Sequence, residues 1–138
     1  MAARRQSPLG AALRGARVAS DLTQADLADR AGVARATVVQ LEAGRGRLPT
    51  LAVCAAGLGL VPVVGGREAQ TVGAGLADRR RGLGLAPRQA AALARIRDQT
   101  ITDIEAAGAT VLVATAERLA EALGCRLGLI ADGHDPPG

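Results

Sequence analysis

The sequence predicts an all-α fold: two tandem five-helix units, each closed by a short β-strand. Three observations carry that prediction. Residues 22–44, LTQADLADRAGVARATVVQLEAG, read as two short helices joined by a tight turn. Residues 9–44, shifted by 63, lie on 72–107 without a gap, so the unit is repeated. The chain is 49% hydrophobic yet has no Phe, Trp or Tyr, so its core must be packed from Leu, Val, Ile and Ala on helices. A length of 138 residues allows one ordinary domain or two very small ones.

Taken in order, residues 1–8 form an expected flexible basic arm carrying Arg4 and Arg5. Leu9 to Ser20 is helix 1, with Leu13, Ala16 and Val18 or Ala12 turned inward. Thr23 is placed to cap the free amides of helix 2, and Asp26 puts a negative charge near the positive end of its dipole. Leu27, Ala28 and Ala31 share one face. Gly32 ends the helix, because a residue tolerant of positive φ makes so sharp a turn cheaply. Helix 3 follows over 34–43 with Val38 and Leu41 inward, leaving Arg35, Thr37 and Gln40 outward. After the loop Arg45-Gly46-Arg47, Pro49-Thr50 opens a short fourth and fifth helix ended by Gly59. The β-branched run Leu60 to Val64 reads as a strand, which Pro62 should confine to an edge or a two-stranded ribbon. Gly65-Gly66 marks the boundary between the units, 9–66 and 67–131, and 132–138 is an expected disordered tail holding His134.

The first unit resembles the lambda-repressor and Cro-like (xenobiotic-response-element type) helix-turn-helix family. The resemblance rests on the L-T-Q-x-x-L-A opening, the glycine nine residues after Thr23, and the L-E-x-G ending of helix 3. It extends to Leu9-Gly10, Leu13-Arg14, Arg17 and Pro49-Thr50-Leu51, covering roughly residues 9 to 64. It implies a DNA-binding fold, and a structural ion pair between helix 1 and the end of helix 3: Arg17 with Glu42, and Arg80 with Glu105 in the second copy.

The second copy is divergent. Gly10/Gly73, Leu13/Leu76, Arg17/Arg80, Leu22/Leu85, Ala28/Ala91, Thr37/Thr100 and Glu42/Glu105 are among its identities, and Val38/Ile101 and Leu41/Ile104 keep the core apolar. However, Ala86 replaces the capping Thr23, Pro87 replaces Gln24, and Arg95 replaces the turn Gly32. The outward face of its third helix offers Asp98, Gln99, Thr100 and Asp103, and carboxylates face a polyanion unfavourably, although an acid can accept from cytosine N4. Charge follows the same asymmetry. Residues 1–66 hold eight Arg and four acids, whereas 67–138 hold nine of each, so the net +4 sits with the first copy.

Composition narrows the function classes. Without aromatic side chains there is no stacking platform for single strands or RNA. Two Cys and one His cannot build an ordinary zinc site, no nucleophile–base pair is evident, and no cofactor or catalytic residue is assigned. Cys54 and Cys125 read as reduced packing residues. The uncharged run Leu48 to Gly66 is nominally long enough to span a bilayer, but its Pro and Gly divide it, and no signal peptide precedes it, so the expected location is cytoplasmic, nucleoid-associated when bound.

The expected function is that of a sequence-specific double-stranded DNA-binding regulator, a repressor, with helix 34–43 in the major groove. Base contacts fall to Arg35, Ala36, Thr37 and Gln40, and phosphate contacts to Thr23, Gln24, Arg14, Arg45 and Arg47. Arg97, Gln99, Thr100 and Asp103 form a second reading helix if the second copy binds DNA. The two copies either pair their strands within one chain as a pseudo-dimer, or the second copy assembles two chains into a homodimer on a palindrome. The acidic, cap-less second copy favours the homodimer. The alternatives are the DNA-binding antitoxin of a toxin–antitoxin pair, with a toxin as protein partner, and a protein-interaction adaptor that has lost DNA binding.

Overall fold

The computed structural model describes residues 6–132. Among them, eight helices and three strands follow in the order α1 (Pro8–Ala19), α2 (Gln24–Ala31), α3 (Arg35–Glu42), α4 (Leu48–Gly57), β1 (Leu60–Val64), β2 (Arg67–Glu68), α5 (Val72–Gly82), α6 (Pro87–Ala94), α7 (Asp98–Glu105), α8 (Val113–Ala122) and β3 (Leu127–Ala131). Each unit therefore has four helices, not the expected five. The stretch assigned to two short helices is one unbroken helix in each unit, α4 and α8, because nothing inside it interrupts the turn-by-turn hydrogen bonds. The chain then leaves through Gly59 and Gly124, both at φ +69°, directly towards a strand.

Helix α1 starts earlier than expected. Ser7 is its N-cap, its hydroxyl accepting from the Gly10 amide at 2.9 Å, and Pro8 occupies the first turn, where a missing N–H costs nothing. Arg4 and Arg5 of the expected arm, and residues 133–138 with His134, lie outside the described residues. The buried stripe of α1 is Leu9, Leu13 and Arg17 at four-residue spacing, which leaves Val18 55% exposed rather than inward.

Helix α2 opens on a full capping box: Asp26 N–H donates to Thr23 Oγ1 at 3.0 Å, and Thr23 N–H donates to Asp26 Oδ2 at 2.9 Å. Gly32 turns the chain at φ +72°. In the second unit Ala86 has no capping oxygen, and the Gln89 side chain supplies half a box by accepting from Ala86 N–H at 2.7 Å. Arg95 is held left-handed at φ +59°, a conformation costing a non-glycine residue about 1–2 kcal/mol.

The core is one aliphatic cluster shared by both units, with Leu9, Leu13, Leu27, Val38, Leu41, Leu76, Ile101, Ile104 and Leu119 fully buried. Two glycines let it close. A Cβ on Gly10 would lie 2.7 Å from the carbonyl oxygens of Leu41 and Glu42, and one on Gly73 would overlap the Ile104 carbonyl, so helix 1 of each unit crosses the end of its helix 3 backbone to backbone. Cys54 is buried and Cys125 half-buried, both free, and burial pushes both thiols up.

The units meet about a pseudo-twofold axis. β1 and β3 pair antiparallel, first residue to last, so that the central pair is Pro62 with Leu129. Arg47 forms an isolated bridge with Leu112, its own counterpart 65 positions on. Around that bridge, Leu48 N–H donates to Val111 O at 2.8 Å and Val113 N–H donates to Gly46 O at 2.9 Å, the same bond related by the axis. The strands are exchanged: α1 packs on β3, and α5 packs on β1.

Pro62 does not lie at an edge. The sheet order is β2-β1-β3, which makes β1 central. The proline is tolerated because its backbone faces β2, where its carbonyl accepts from Ala69 N–H at 3.0 Å, and its missing donor interrupts no bond to β3.

Candidate nucleic-acid interface

Helices α2 and α3 are fixed to each other before either can be fixed to anything else. Val38 and Leu41 bury one face of α3 beside Leu27 and Ala28 of α2, and Gly32 sets the turn between them. Arg17 then locks the end of α3 to α1. Its Nε donates to Glu42 Oε2 at 2.6 Å, its Nη2 to Glu42 Oε1 at 3.1 Å, and its Nη1 to the Leu22 carbonyl at 2.7 Å. This bidentate carboxylate raises the Arg17 pKa against partial desolvation. Arg80, Glu105 and the Leu85 carbonyl repeat the arrangement at 2.6, 3.1 and 2.8 Å in the second unit.

The face of α3 turned away from the core consists of Arg35, Ala36, Val39, Gln40 and, just beyond the helix, Ala43, all exposed. Val39 lies at its centre and is 40% exposed. Sequence reasoning did not name it; the signal was that 36, 39, 40 and 43 share one side of a helix on which 38 and 41 are inward. Thr37, assigned to that face, is half-buried at its margin.

Among the described residues, the side chains of Arg14, Arg35, Gln40, Arg45 and Arg47 make no hydrogen bond or ion pair, and all five are exposed. Two other sequence-assigned residues are engaged. The Thr23 hydroxyl oxygen caps α2, leaving its O–H proton available. Gln24 donates one Nε2 proton to Glu42 Oε1 at 3.2 Å, which orients the amide at the start of α2 and leaves the second proton free.

The corresponding surface of the second unit is spent on itself. Gln99 Nε2 donates to Asp103 Oδ1 at 3.0 Å, and the exposed positions matching Arg35 and Val39 are Asp98 and Thr102. Arg97 is the N-cap residue of α7 and exposed, and Thr100 is half-buried. The structure therefore presents one basic and apolar face with free donors, and one acidic face whose amide is tied down.

The seam between the units also contributes. The Ser7 hydroxyl and the Leu9 amide both donate to Glu117 Oε2 of α8, at 2.6 and 2.9 Å. The loops that follow α3 and α7 are the ones joined by the Arg47–Leu112 bridge, so both helix-turn-helix surfaces are referred to one axis. No group of His, Cys, Asp or Glu among the described residues is arranged to hold a metal ion, and no helix among them is long and apolar enough to cross a membrane.

Residues 8–63 match the family model described as "Helix-turn-helix domain", and residues 76–130 match one described as "Helix-turn-helix". No curated protein and no solved structure matches the chain.

Proposed function

The chain carries two tandem helix-turn-helix domains of the lambda-repressor and Cro-like family, and from that premise we propose that it is a sequence-specific regulator binding double-stranded DNA through α3. The observation that carries this reading is the unspent outward face of α3, held rigid by the Arg17–Glu42 pair behind it. A helix presented in this way fits the major groove. Arg35 forks onto guanine O6 and N7, Gln40 pairs with adenine, and Ala36 and Val39 lie against thymine methyls. Thr37, at the margin, reaches a methyl or a phosphate. Thr23, Gln24, Arg14, Arg45 and Arg47 hold the phosphates on either side. Regulation follows by occupancy of the site, as a repressor.

The intrachain pairing of β1 with β3 supports a single chain acting as a pseudo-dimer, against the homodimer that the acidic, cap-less second copy favoured. Two unlike reading surfaces about one axis call for a target of two unlike halves, with α3 contributing most of the discrimination. Selection of sites from a randomised duplex pool tests this at near-physiological salt. An asymmetric site is expected. A palindrome would show that two chains each use α3, and no enrichment would overturn the DNA-binding reading.

A further inference from the structure

We propose that the outer edge of β3 is a pairing surface for a second copy of this chain, which adds its own β3 antiparallel. The two edges of the sheet are unlike. β2 is two residues long and both are charged, Arg67 and Glu68, which blunts its edge. β3 runs five residues, Leu127–Ala131, without charge or proline. α1 packs on β3 as α5 packs on β1, and α5 leaves the outer edge of β1 open to β2.

The register on β1 decides which groups of β3 face outward. Gly65 N–H donates to Arg126 O and Asp132 N–H donates to Gly59 O, so the even-numbered residues of 126–132 are the ones bonded to β1. The N–H and C=O of Leu127, Leu129 and Ala131 therefore point away, and among the described residues nothing meets them. Leu127 is 4% exposed and Leu129 half-buried, so water is a poor substitute there. On β1 the matching groups are served by β2 and the residue after it, as in the bond from Ala69 N–H to Pro62 O. The pseudo-twofold axis relates Pro62 to Leu129, and the same interval takes Ala69 to Pro136, which has no N–H to give.

The edge is complementary to itself. Arg126 to Asp132 reads RLGLIAD, and antiparallel pairing about Leu129 sets Leu129 against its own copy and Leu127 against Ala131. Those pairs exchange the unmet bonds. The intervening residues share the other face, where opposed side chains lie closest. There Arg126 meets Asp132 of the second copy, so opposite charges face each other at both ends of the contact. Between them the exposed Ile130 meets Gly128 of the second copy, beside which an added Cβ finds nothing within 4 Å. Within one chain Arg126 and Asp132 lie opposite Gly65 and Gly59, so β1 gives them no cross-strand side chain. The pairing continues the β1–β3 interface into one sheet across two complete chains, and it uses no residue of the α3 face.

Sedimentation equilibrium of the full chain tests the pairing without DNA, so its failure leaves the DNA-binding reading standing. A monomer–dimer equilibrium is expected, with no larger species. Leu129→Pro should leave monomer alone; Pro62 shows that the fold accepts proline at this place, and an unchanged circular dichroism spectrum checks it. Arg126→Asp and Asp132→Arg should each weaken the dimer about tenfold, and the two together in one chain should restore it. Amide exchange reads the register. Leu127, Leu129 and Ala131 should gain protection as concentration rises, while Gly128 and Ile130 are protected throughout. A monomer at every concentration, a dimer undiminished by Leu129→Pro, or a charge swap without rescue would overturn the pairing. So would protection of Leu127 and Leu129 in the monomer, which would mean that another segment of the chain covers the edge.

Discussion

The Ser7 hydroxyl donates to Glu117 Oε2 at 2.6 Å, joining the first helix of one unit to the last helix of the other across 110 residues of sequence. Glu117→Ala removes that acceptor and the one for Leu9 N–H together. A loss of about 1–3 kcal/mol is expected, since hydrogen bonds to a charged group are the stronger kind. With no Trp or Tyr to report, circular dichroism during urea unfolding is the measurement. The curve should keep a single transition at a lower midpoint, because the core is common to both units.

Arg17 and Glu42 test the brace behind α3. Their side chains are 11% and 5% exposed, so removing either leaves a nearly buried charge, at a cost of about 3 kcal/mol. The double replacement with Ala should cost clearly less than the two singles added, and a double-mutant cycle measures the difference. Strict additivity would show that the pair contributes nothing as a pair.

Two glycine substitutions in first-helix positions should move stability in opposite directions. Gly73→Ala forces a methyl into the Ile104 carbonyl, so α5 and α7 must separate, and about 1–3 kcal/mol is lost. Gly15→Ala, on an exposed part of α1 with nothing near the added Cβ, should gain about 0.5–1 kcal/mol from helix propensity. Thermal midpoints of the two variants decide it.

On DNA, Arg35→Ala should weaken binding to the selected site by about 1–3 kcal/mol, roughly fivefold to 150-fold, and relax the preference at one position. Its Tm should be unchanged, since the exposed side chain makes no hydrogen bond or ion pair among the described residues. Asp98→Ala, at the matching position of α7, should leave affinity equal or higher. Electrophoretic titration with both variants reads the two units separately.

Asp26 makes stability pH-dependent. Its hydrogen bond with the Thr23 backbone, then that with the Thr23 side chain, hold its carboxyl below the ordinary value of 3.8. A depressed folded pKa contributes stability above the unfolded value and loses it as pH falls through the folded one. Asp26→Asn should therefore narrow the difference in Tm between about pH 6 and about pH 3.

Much of the local architecture was legible because it is encoded by neighbours. Thr23 and Asp26 lie three apart, Gly32 supplies its own φ, and the Arg-to-Glu interval of 25 residues occurs twice. What escaped was decided by contacts between distant segments. The absence of a fifth helix depends on how α4 runs into β1, and the place of Pro62 depends on which side of its strand needs a donor. The Ser7–Glu117 contact leaves no periodic trace at all. Val39 was readable from spacing alone and was passed over because an apolar residue on a reading face carries no hydrogen-bonding signature.

The exchange of strands, α1 on β3 and α5 on β1, also bears on how such a molecule can change. Two identical subunits that trade strands must alter both recognition surfaces whenever one residue mutates. Once the halves are tethered through Gly65 and Gly66, each is written in its own stretch of the gene. Asp98 and Asp103 can therefore differ from their counterparts Arg35 and Gln40, while the shared architecture depends on both halves. Covalent linkage frees the reading surfaces from mutual constraint and leaves the scaffold under it.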